Sequence, residues 1–310
     1  MEDEQIQNEL RRASVQQFIE EEALPDSFGA SFIQWYAGIT EHLAAMASDL
    51  KTAPLVGVSG CQGSGKSTLV KLMAHVLKAV YGVNAVVLSL DDFYLTRSAR
   101  REMADTVHPL FATRGVPGTH DLTLLHDTIN ALRGSRGEVA VPGFDKAADD
   151  RTEMVHWRQE SAPVGLIFLE GWCVGVPPQP LEDLVSPVNE TEAEQDADSR
   201  WRTEVNRQLG DGYAALFADL DELLVLQAPS FGAVYEWRWQ QEQRLSALFK
   251  ARHPDTPDPT MTRQQVANFI LHYQRITEHA LVTLPDRADV LWELGDDRSV
   301  QRMHLTGVAA

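Results

Sequence analysis

Residues 60–67 read Gly-Cys-Gln-Gly-Ser-Gly-Lys-Ser, the pattern G-x-x-x-x-G-K-S of a phosphate-binding loop, or P-loop. The apolar run at 55–58 precedes the loop and predicts a buried strand. The run from 69 to 80 has helical spacing of its apolar residues, and Gly82 marks its end. Strand, glycine loop and helix in this order are the context that the motif requires. The stretch therefore predicts an α/β fold of the P-loop NTPase type, with three layers (α/β/α) and a mostly parallel central sheet.

The backbone of this loop explains why it binds phosphate. Glycines let successive N–H groups turn inward around an anion, and the N-terminus of the following helix adds partial positive charge. We predict that Lys66 reaches the β- and γ-phosphates and that the Ser67 hydroxyl ligates Mg²⁺. The predicted nucleotide-binding residues share the loop and the first turn after it: Gly60, Cys61, Gln62, Gly63, Ser64, Gly65, Lys66, Ser67 and Thr68.

Composition limits the classes of partner. The chain has 310 residues and a formal net charge of −18, which argues against binding to nucleic acid or to an anionic membrane surface. No apolar run approaches the length of a membrane-spanning helix, and the acidic N-terminus does not resemble a signal peptide. The only cysteines, Cys61 and Cys173, suit a reducing cytoplasm. We therefore expect a cytoplasmic protein with a small-molecule substrate, while its oligomeric state stays open.

Two acidic residues directly follow predicted buried strands. Asp91 comes after the run at 85–90, and Glu170 comes after the continuous apolar run at 164–169. The carboxyl ends of strands are where open α/β sheets bind their ligands. We predict that Asp91 is catalytic and that Glu170 takes the position of the acid that holds Mg²⁺, with Asp91 as a further candidate metal ligand. The alternatives are a helix cap or turn for Asp91 and a solvent-facing carboxylate for Glu170.

The remaining chain divides by composition. Residues 1–50 predict two or three helices, an N-terminal helical extension of the P-loop domain at 51–310. Residues 186–199 are acidic and lack aromatic residues, which predicts a mobile insertion. Further strands are predicted at 220–226 and 289–294.

Two segments carry most of the positive charge near the predicted site. Residues 97–121 are the most basic stretch of this acidic chain and predict a long loop with helical pieces. Residues 228–285 are helical and rich in tryptophan and arginine, which is typical of a lid. Either Arg238 or Arg244 would then reach the phosphates, and ordinary surface ion pairs are the competing interpretation.

Several segments together resemble the D-glycerate 3-kinase family, which belongs with the phosphoribulokinase, uridine kinase and pantothenate kinase group of P-loop kinases. The resemblance covers roughly residues 54–295, in the same order and at similar spacing. Besides the tryptophan- and arginine-rich C-terminal segment, it rests on GCQGSGKST, SLDDFY, RGVPGTHD, PGFDK and FLEGW.

The resemblance implies an ATP-dependent kinase that phosphorylates a hydroxyl of a small hydroxy-acid, D-glycerate, to give 3-phosphoglycerate. It implies that Asp91 accepts the proton of the attacking hydroxyl and that Lys66 binds the phosphates. It also implies that Ser67 and Glu170 hold Mg²⁺. Related kinases often have tyrosine where this chain has Phe144. The substrate-binding residues predicted on this basis, beside Asp91, are Tyr94, Arg114, His120, Asp145, Lys146 and Arg151.

Two other functions stay open at this stage. The acceptor could be another small alcohol, such as a sugar, a nucleoside or a pantothenate-like compound. A non-kinase ATP-binding protein or ATPase is the alternative from another class, although the N-K-x-D motif of GTPases does not follow the P-loop.

Overall fold

The computed structural model describes residues 2–134, 136–254 and 256–306. The α-helices in chain order are α1 (Glu2–Glu21), α2 (Asp26–Trp35), α3 (Ala37–Asp49), α4 (Lys66–Tyr81), α5 (Arg97–Thr106), α6 (Leu122–Gly134), α7 (Glu190–Gln195), α8 (Arg200–Gln208), α9 (Ala214–Ala218), α10 (Phe231–Arg252) and α11 (Arg263–Thr283). The strands are β1 (Leu55–Gly60), β2 (Ala85–Ser89), β3 (Gly137–Val141), β4 (Phe144–Asp145), β5 (Asp150–Arg151), β6 (Arg158–Ala162), β7 (Leu166–Gly171), β8 (Glu222–Gln227), β9 (Val290–Leu294) and β10 (Val300–Leu305). One turn of π-helix, Leu209–Tyr213, joins α8 to α9.

The central sheet has six strands in the order β10-β9-β8-β1-β7-β2. Strands β9, β8, β1, β7 and β2 run parallel, and β10 pairs antiparallel with β9. Every residue of β1 and β7 is buried, as expected for central strands that helices cover on both faces. The predicted α/β class with a mostly parallel sheet is confirmed.

Side chains of the sheet alternate between two hydrophobic cores, one on each face. Leu55 points into a core that also contains Leu125 of α6 and Ile276 of α11. The neighbouring Val56 points into a second core with Phe18 of α1 and Leu72 of α4. The sheet is therefore the middle of three layers, and the described part of the N-terminal helical extension shares its core with α4 and the sheet.

The acidic segment 186–199 is folded, so the prediction of a mobile insertion is wrong. It contains α7, whose Glu192 is only 1% exposed and accepts hydrogen bonds from Arg275 of α11 at 2.7 and 2.6 Å. The fully buried Asp196 accepts a hydrogen bond from Arg202 of α8 at 2.8 Å. Composition indicated disorder because the arginines that neutralise these acids lie elsewhere in the sequence.

Other strands of the described chain pair antiparallel. Strand β10 follows the strand predicted as the last one, and of its side chains only Val300 is buried. Strands β3 and β6 pair as an antiparallel ribbon, and the short pair β4–β5 lies between them in the chain. Within the described residues, no helix combines the length and apolar character needed to cross a membrane.

We expect the substitution Glu192→Ala to lower the free energy of unfolding by about 3–5 kcal/mol, because it leaves the buried Arg275 guanidinium without its counter-charge. Urea-induced unfolding measures the change. Glu194→Ala is the matched control, since Glu194 is exposed on the same helix and its loss should cost less than about 0.5 kcal/mol. Equal stability of the two variants would show that the Glu192–Arg275 pair does not hold the segment.

Candidate active site

The P-loop connects the end of β1 to the start of α4 and is shaped by glycines in left-handed conformations. Gly63 has φ 78° and Gly65 has φ 91°, values that residues with side chains rarely adopt. A Cβ atom at Gly63 would lie 2.8 Å from Cβ of Trp237, because α10 packs directly on the loop. The first amides of α4 have no partners within the helix and face the position of an anion.

Glu170 lies beside the two polar side chains that begin α4. Strands β1 and β7 pair with Val58 opposite Glu170, so the carboxylate reaches the loop. The Ser67 hydroxyl donates a hydrogen bond to Oε1 of Glu170 at 2.9 Å, and Lys66 Nζ lies 3.7 Å from Oε2. Glu170 is 4% exposed, and among the described residues its Oε2 has no hydrogen-bond partner. A hydroxyl and a buried carboxylate oxygen of this kind fit a Mg²⁺ ion.

Asp91 lies in the 3₁₀ turn Leu90–Phe93 directly after β2, and its carboxylate is held from two sides. Its Oδ1 accepts a hydrogen bond from the Tyr94 hydroxyl at 2.8 Å, and its Oδ2 accepts one from Lys146 Nζ at 2.7 Å. Burial by itself would raise the pKa of Asp91, but Lys146, Lys66 and Tyr94 together lower it to about 2. Asp91 is therefore ionised at neutral pH.

The pKa of Asp92 is shifted in the opposite direction from that of the adjacent Asp91. Burial raises the pKa of Asp92 to about 6 against the attraction of Arg158, and the nearby Asp91 adds to the rise. Two adjacent carboxylates thus have different environments, and the one held by Lys146 carries the stable negative charge.

Tyr94 and His120 form a buried layer behind Asp91. Tyr94 is 3% exposed, and its ring stacks on His120 with 4.5 Å between centroids. His120 Nδ1 lies 2.5 Å from the Tyr213 hydroxyl, and burial lowers the pKa of His120 to about 4. His120 is therefore neutral at physiological pH. Both residues stay predicted substrate-binding residues; in the structure Tyr94 contacts the Asp91 carboxylate and His120 packs on Tyr94.

Arg114 is held by an acid that the sequence did not single out. Its guanidinium pairs with Asp149 and lies over the Phe144 ring at 5.3 Å. Arg100, which is 1% exposed, pairs with the same carboxylate at 3.0 Å and lies over the same ring at 5.7 Å. Burial would raise the pKa of Asp149, but the two arginines lower it. Asp149 therefore fixes a pair of guanidinium groups beside the predicted acceptor residues.

Arg151, Asp145 and Lys146 complete the predicted acceptor set. Arg151 donates hydrogen bonds to Asp121 at 2.9 Å and to the Tyr94 carbonyl at 3.0 Å. Asp145 accepts hydrogen bonds from the amides of Ala147 and Ala148, so it shapes the turn that presents Lys146. Lys146 contacts Asp91, whereas the Asp145 carboxylate accepts hydrogen bonds from amides of the turn in which it lies.

Aromatic side chains from three elements fix the backbone of the segment 114–120. The Trp172 indole donates to the Gly115 carbonyl at 3.0 Å, and the Tyr273 hydroxyl donates to the Arg114 carbonyl at 3.2 Å. The amide of Gly118 donates to the Tyr213 hydroxyl at 3.0 Å. Sequence reasoning missed these residues, whose only local signal was their aromatic character.

The two arginines predicted to close the site lie on α10. Arg238 pairs with Glu242 one turn further along the helix at 2.6 Å, and Arg244 is exposed. A further arginine, Arg298, follows β9 and contacts the P-loop, donating a hydrogen bond from Nε to the Gly63 carbonyl at 2.6 Å.

Fold and site together define a P-loop kinase, and comparison with known proteins identifies the group. The chain is 34% identical over 233 residues to the uncharacterized kinase mug58 of Schizosaccharomyces pombe, covering 71% of this chain and 78% of that protein. It is 30% identical over 239 residues to the chloroplastic D-glycerate 3-kinase of Arabidopsis thaliana, covering 74% of this chain and 48% of that enzyme. A scan against protein-family profiles found no match.

The solved structures agree. D-glycerate 3-kinase from Cryptococcus neoformans superposes with a TM-score of 0.69 at 25% identity, covering 86% of this chain and 97% of that one. The chain belongs to the D-glycerate 3-kinase family and is an ATP-dependent phosphotransferase.

We expect Asp149→Asn to lower the free energy of unfolding at neutral pH by about 1.5–3 kcal/mol, because the buried Arg100 loses a charged partner. Asparagine tolerates the left-handed backbone at this position, where φ is 55°.

The effect should depend on pH with a definite sign. The folded-state pKa of Asp149 is lowered, so its stabilising contribution is present above the unfolded-state pKa of about 3.8. The stability difference between wild type and variant should shrink as pH falls through the folded-state pKa. Denaturant titrations from pH 7 to pH 3 measure it, with exposed Asp127→Asn as control. A difference that stays constant over this range would contradict the assignment.

Proposed function

We propose that this protein transfers the γ-phosphoryl group of ATP to a hydroxyl of D-glycerate, giving 3-phosphoglycerate. The observation that carries the proposal is the ionised Asp91 carboxylate, held by Lys146 and Tyr94 beside the P-loop. Relatives described as D-glycerate 3-kinases support the choice of acceptor. The cytoplasm is the proposed location, which suits the two free buried cysteines.

Positioning and charge neutralisation account for most of phosphoryl transfer. In this proposal Lys66 and the first amides of α4 hold the β- and γ-phosphates. Ser67 and Glu170 are the residues that would hold Mg²⁺, and the ion would offset the charge of the phosphates when bound. Both oxygens of Asp91 already accept hydrogen bonds, which favours a role toward the acceptor over a role as a direct metal ligand.

Asp91 would accept the proton of the attacking hydroxyl. A carboxylate with a pKa of about 2 is a weak base, but the transition state of phosphoryl transfer is loose. Fixing the direction of the hydroxyl then counts for more than strong basicity. The contacts from Tyr94 and Lys146 restrict the carboxylate to one orientation, which suits this task.

The carboxylate of D-glycerate needs cationic partners near Asp91. Arg114, Arg151 and Lys146 are the candidates, because each lies in the predicted acceptor set and Lys146 contacts Asp91 directly. Guanidinium groups can bind a carboxylate through two parallel hydrogen bonds, and the buried Nε of Arg151 has no partner in the part of the chain that the structure describes. A local cluster of this kind would attract an anion against the net charge of −18.

An acceptor panel tests the proposal directly. Purified protein with MgATP should release ADP in the presence of D-glycerate and should not do so with glycerol, which lacks the carboxylate that the arginines would bind. L-glycerate, uridine and pantothenate complete the panel, and phosphorus NMR identifies the product. ADP release without any acceptor would indicate an ATPase, and release only with another alcohol would replace D-glycerate by that compound.

We expect Asp91→Asn to lower kcat by about 10²-fold or more, because the amide cannot accept the hydroxyl proton. Affinity for ATP should persist, since the P-loop is unchanged. Asp127→Asn is the matched control, because Asp127 is exposed on α6 outside the predicted site, and its kcat should stay within a few-fold of wild type. Near wild-type turnover in Asp91→Asn would remove Asp91 from the chemistry.

A further inference from the structure

The strand order fixes the direction in which ATP lies, if the proposed function is correct. Asp91 follows β2 and Glu170 lies in β7, and both strands are on one side of β1. The γ-phosphate must face Asp91 for transfer to occur. The nucleoside half of ATP therefore extends to the other side of β1, over the carboxyl ends of β8 and β9.

Arg298 occupies that side of the P-loop. It lies in the turn between β9 and β10 with φ 69°, and its Nε donates to the Gly63 carbonyl at 2.6 Å. Its guanidinium lies over the Trp237 ring at 5.2 Å. Trp237 is 1% exposed and donates from its indole to the Asp296 carbonyl at 2.6 Å. The turn, α10 and the P-loop are thus joined through one arginine and one tryptophan.

The charge of Arg298 is uncompensated within the described part of the chain. No carboxylate there lies within 4.0 Å of its guanidinium nitrogens, whereas Arg114, Arg151 and Arg238 each have an acidic partner. Its neighbour Asp297 is turned toward Ser299. The exposed Arg244 adds a like charge, and burial together with Arg244 lowers the pKa of Arg298. Arg298 is thus a partly buried guanidinium that no carboxylate within the described residues engages, which leaves it available to a ligand at the P-loop.

We propose that Arg298 is a nucleotide-positioning residue that holds the P-loop through the Gly63 carbonyl and presents the guanidinium face opposite Trp237 to the nucleoside half of ATP. A guanidinium plane stacks on aromatic rings, and a purine base supplies such a ring. Lys66 and α4 hold the phosphates, so the two ends of the nucleotide have separate contacts. This assignment deepens the proposed function by giving the nucleoside half of ATP a residue of its own.

The substitution Arg298→Lys separates the two roles. A lysine ammonium can still donate to the Gly63 carbonyl, but it offers no planar face. We expect the Kd values of MgATP and MgADP to rise by a similar factor, about tenfold, while the Kd of magnesium tripolyphosphate stays within about twofold of wild type. Isothermal titration calorimetry measures all three ligands. Arg302→Lys is the matched control, since Arg302 is exposed on β10 and pairs with Glu293, and it should change none of them.

Two results would overturn the inference. Unchanged affinity for ATP and ADP in Arg298→Lys would place the nucleoside elsewhere, and equal weakening of tripolyphosphate would make Arg298 only a brace of the loop. Thermal unfolding checks that the variant is folded, and Arg298→Gln, which also keeps a donor for the carbonyl, repeats the test if it is not. Wild-type protein that binds ATP but phosphorylates no acceptor would contradict the proposed function alone, and the Arg298 result would stand.

Discussion

The register between β1 and its neighbours is the constraint on which the site depends. Val58 lies opposite Glu170 in the pairing of β1 with β7, and Ser89 lies opposite Glu170 in the pairing of β2 with β7. Since side chains alternate along a strand, a slip of one residue would turn Glu170 to the opposite face. The same slip would move Ile167 and Phe168 of β7 into the wrong cores, so burial on both faces of the sheet enforces the register. The hydrophobic cores thereby fix the distances between the polar groups of the site, although those groups are not part of either core.

Charged side chains around the candidate site pair with oppositely charged side chains that lie close in space. The chain is strongly acidic, yet the candidate site has buried or half-buried arginines on several sides. Asp149 holds Arg100 and Arg114, Asp121 holds Arg151, and Lys146 holds Asp91. Each pair limits the number of uncompensated charges in a region of low dielectric constant, where an isolated charge is costly. Arg298 departs from this pattern because no carboxylate within the described residues pairs with it.

The backbone around the acceptor segment is held by donors and acceptors that come from distant elements. Trp172 follows β7, Tyr273 lies on α11 and Tyr213 ends the π-helical turn, and all three bond to main-chain atoms between Arg114 and Gly118. A Cβ atom at Gly115 would lie only 2.1 Å from the Tyr273 hydroxyl, so the close approach requires glycine. This contact connects the helical pair α10–α11 to the acceptor segment by packing. The segment predicted to be a lid is therefore in direct contact with the acceptor segment that it would cover.

The sequence by itself determined the P-loop, the strand and helix that flank it, the mostly parallel sheet and the kinase family. These features depend on short motifs and on apolar periodicity, which record burial and phosphate geometry within a few residues of the chain. It also singled out Asp91, Lys146 and Glu170, whose mutual positions the structure then supplied. Only the tertiary structure decided that 186–199 is folded, that Asp149 binds two arginines and that Arg298 contacts Gly63. The physical reason is that the partners of Glu192, Asp149 and Arg298 lie 35 to 235 residues away in the chain, and folding alone decides which distant groups meet.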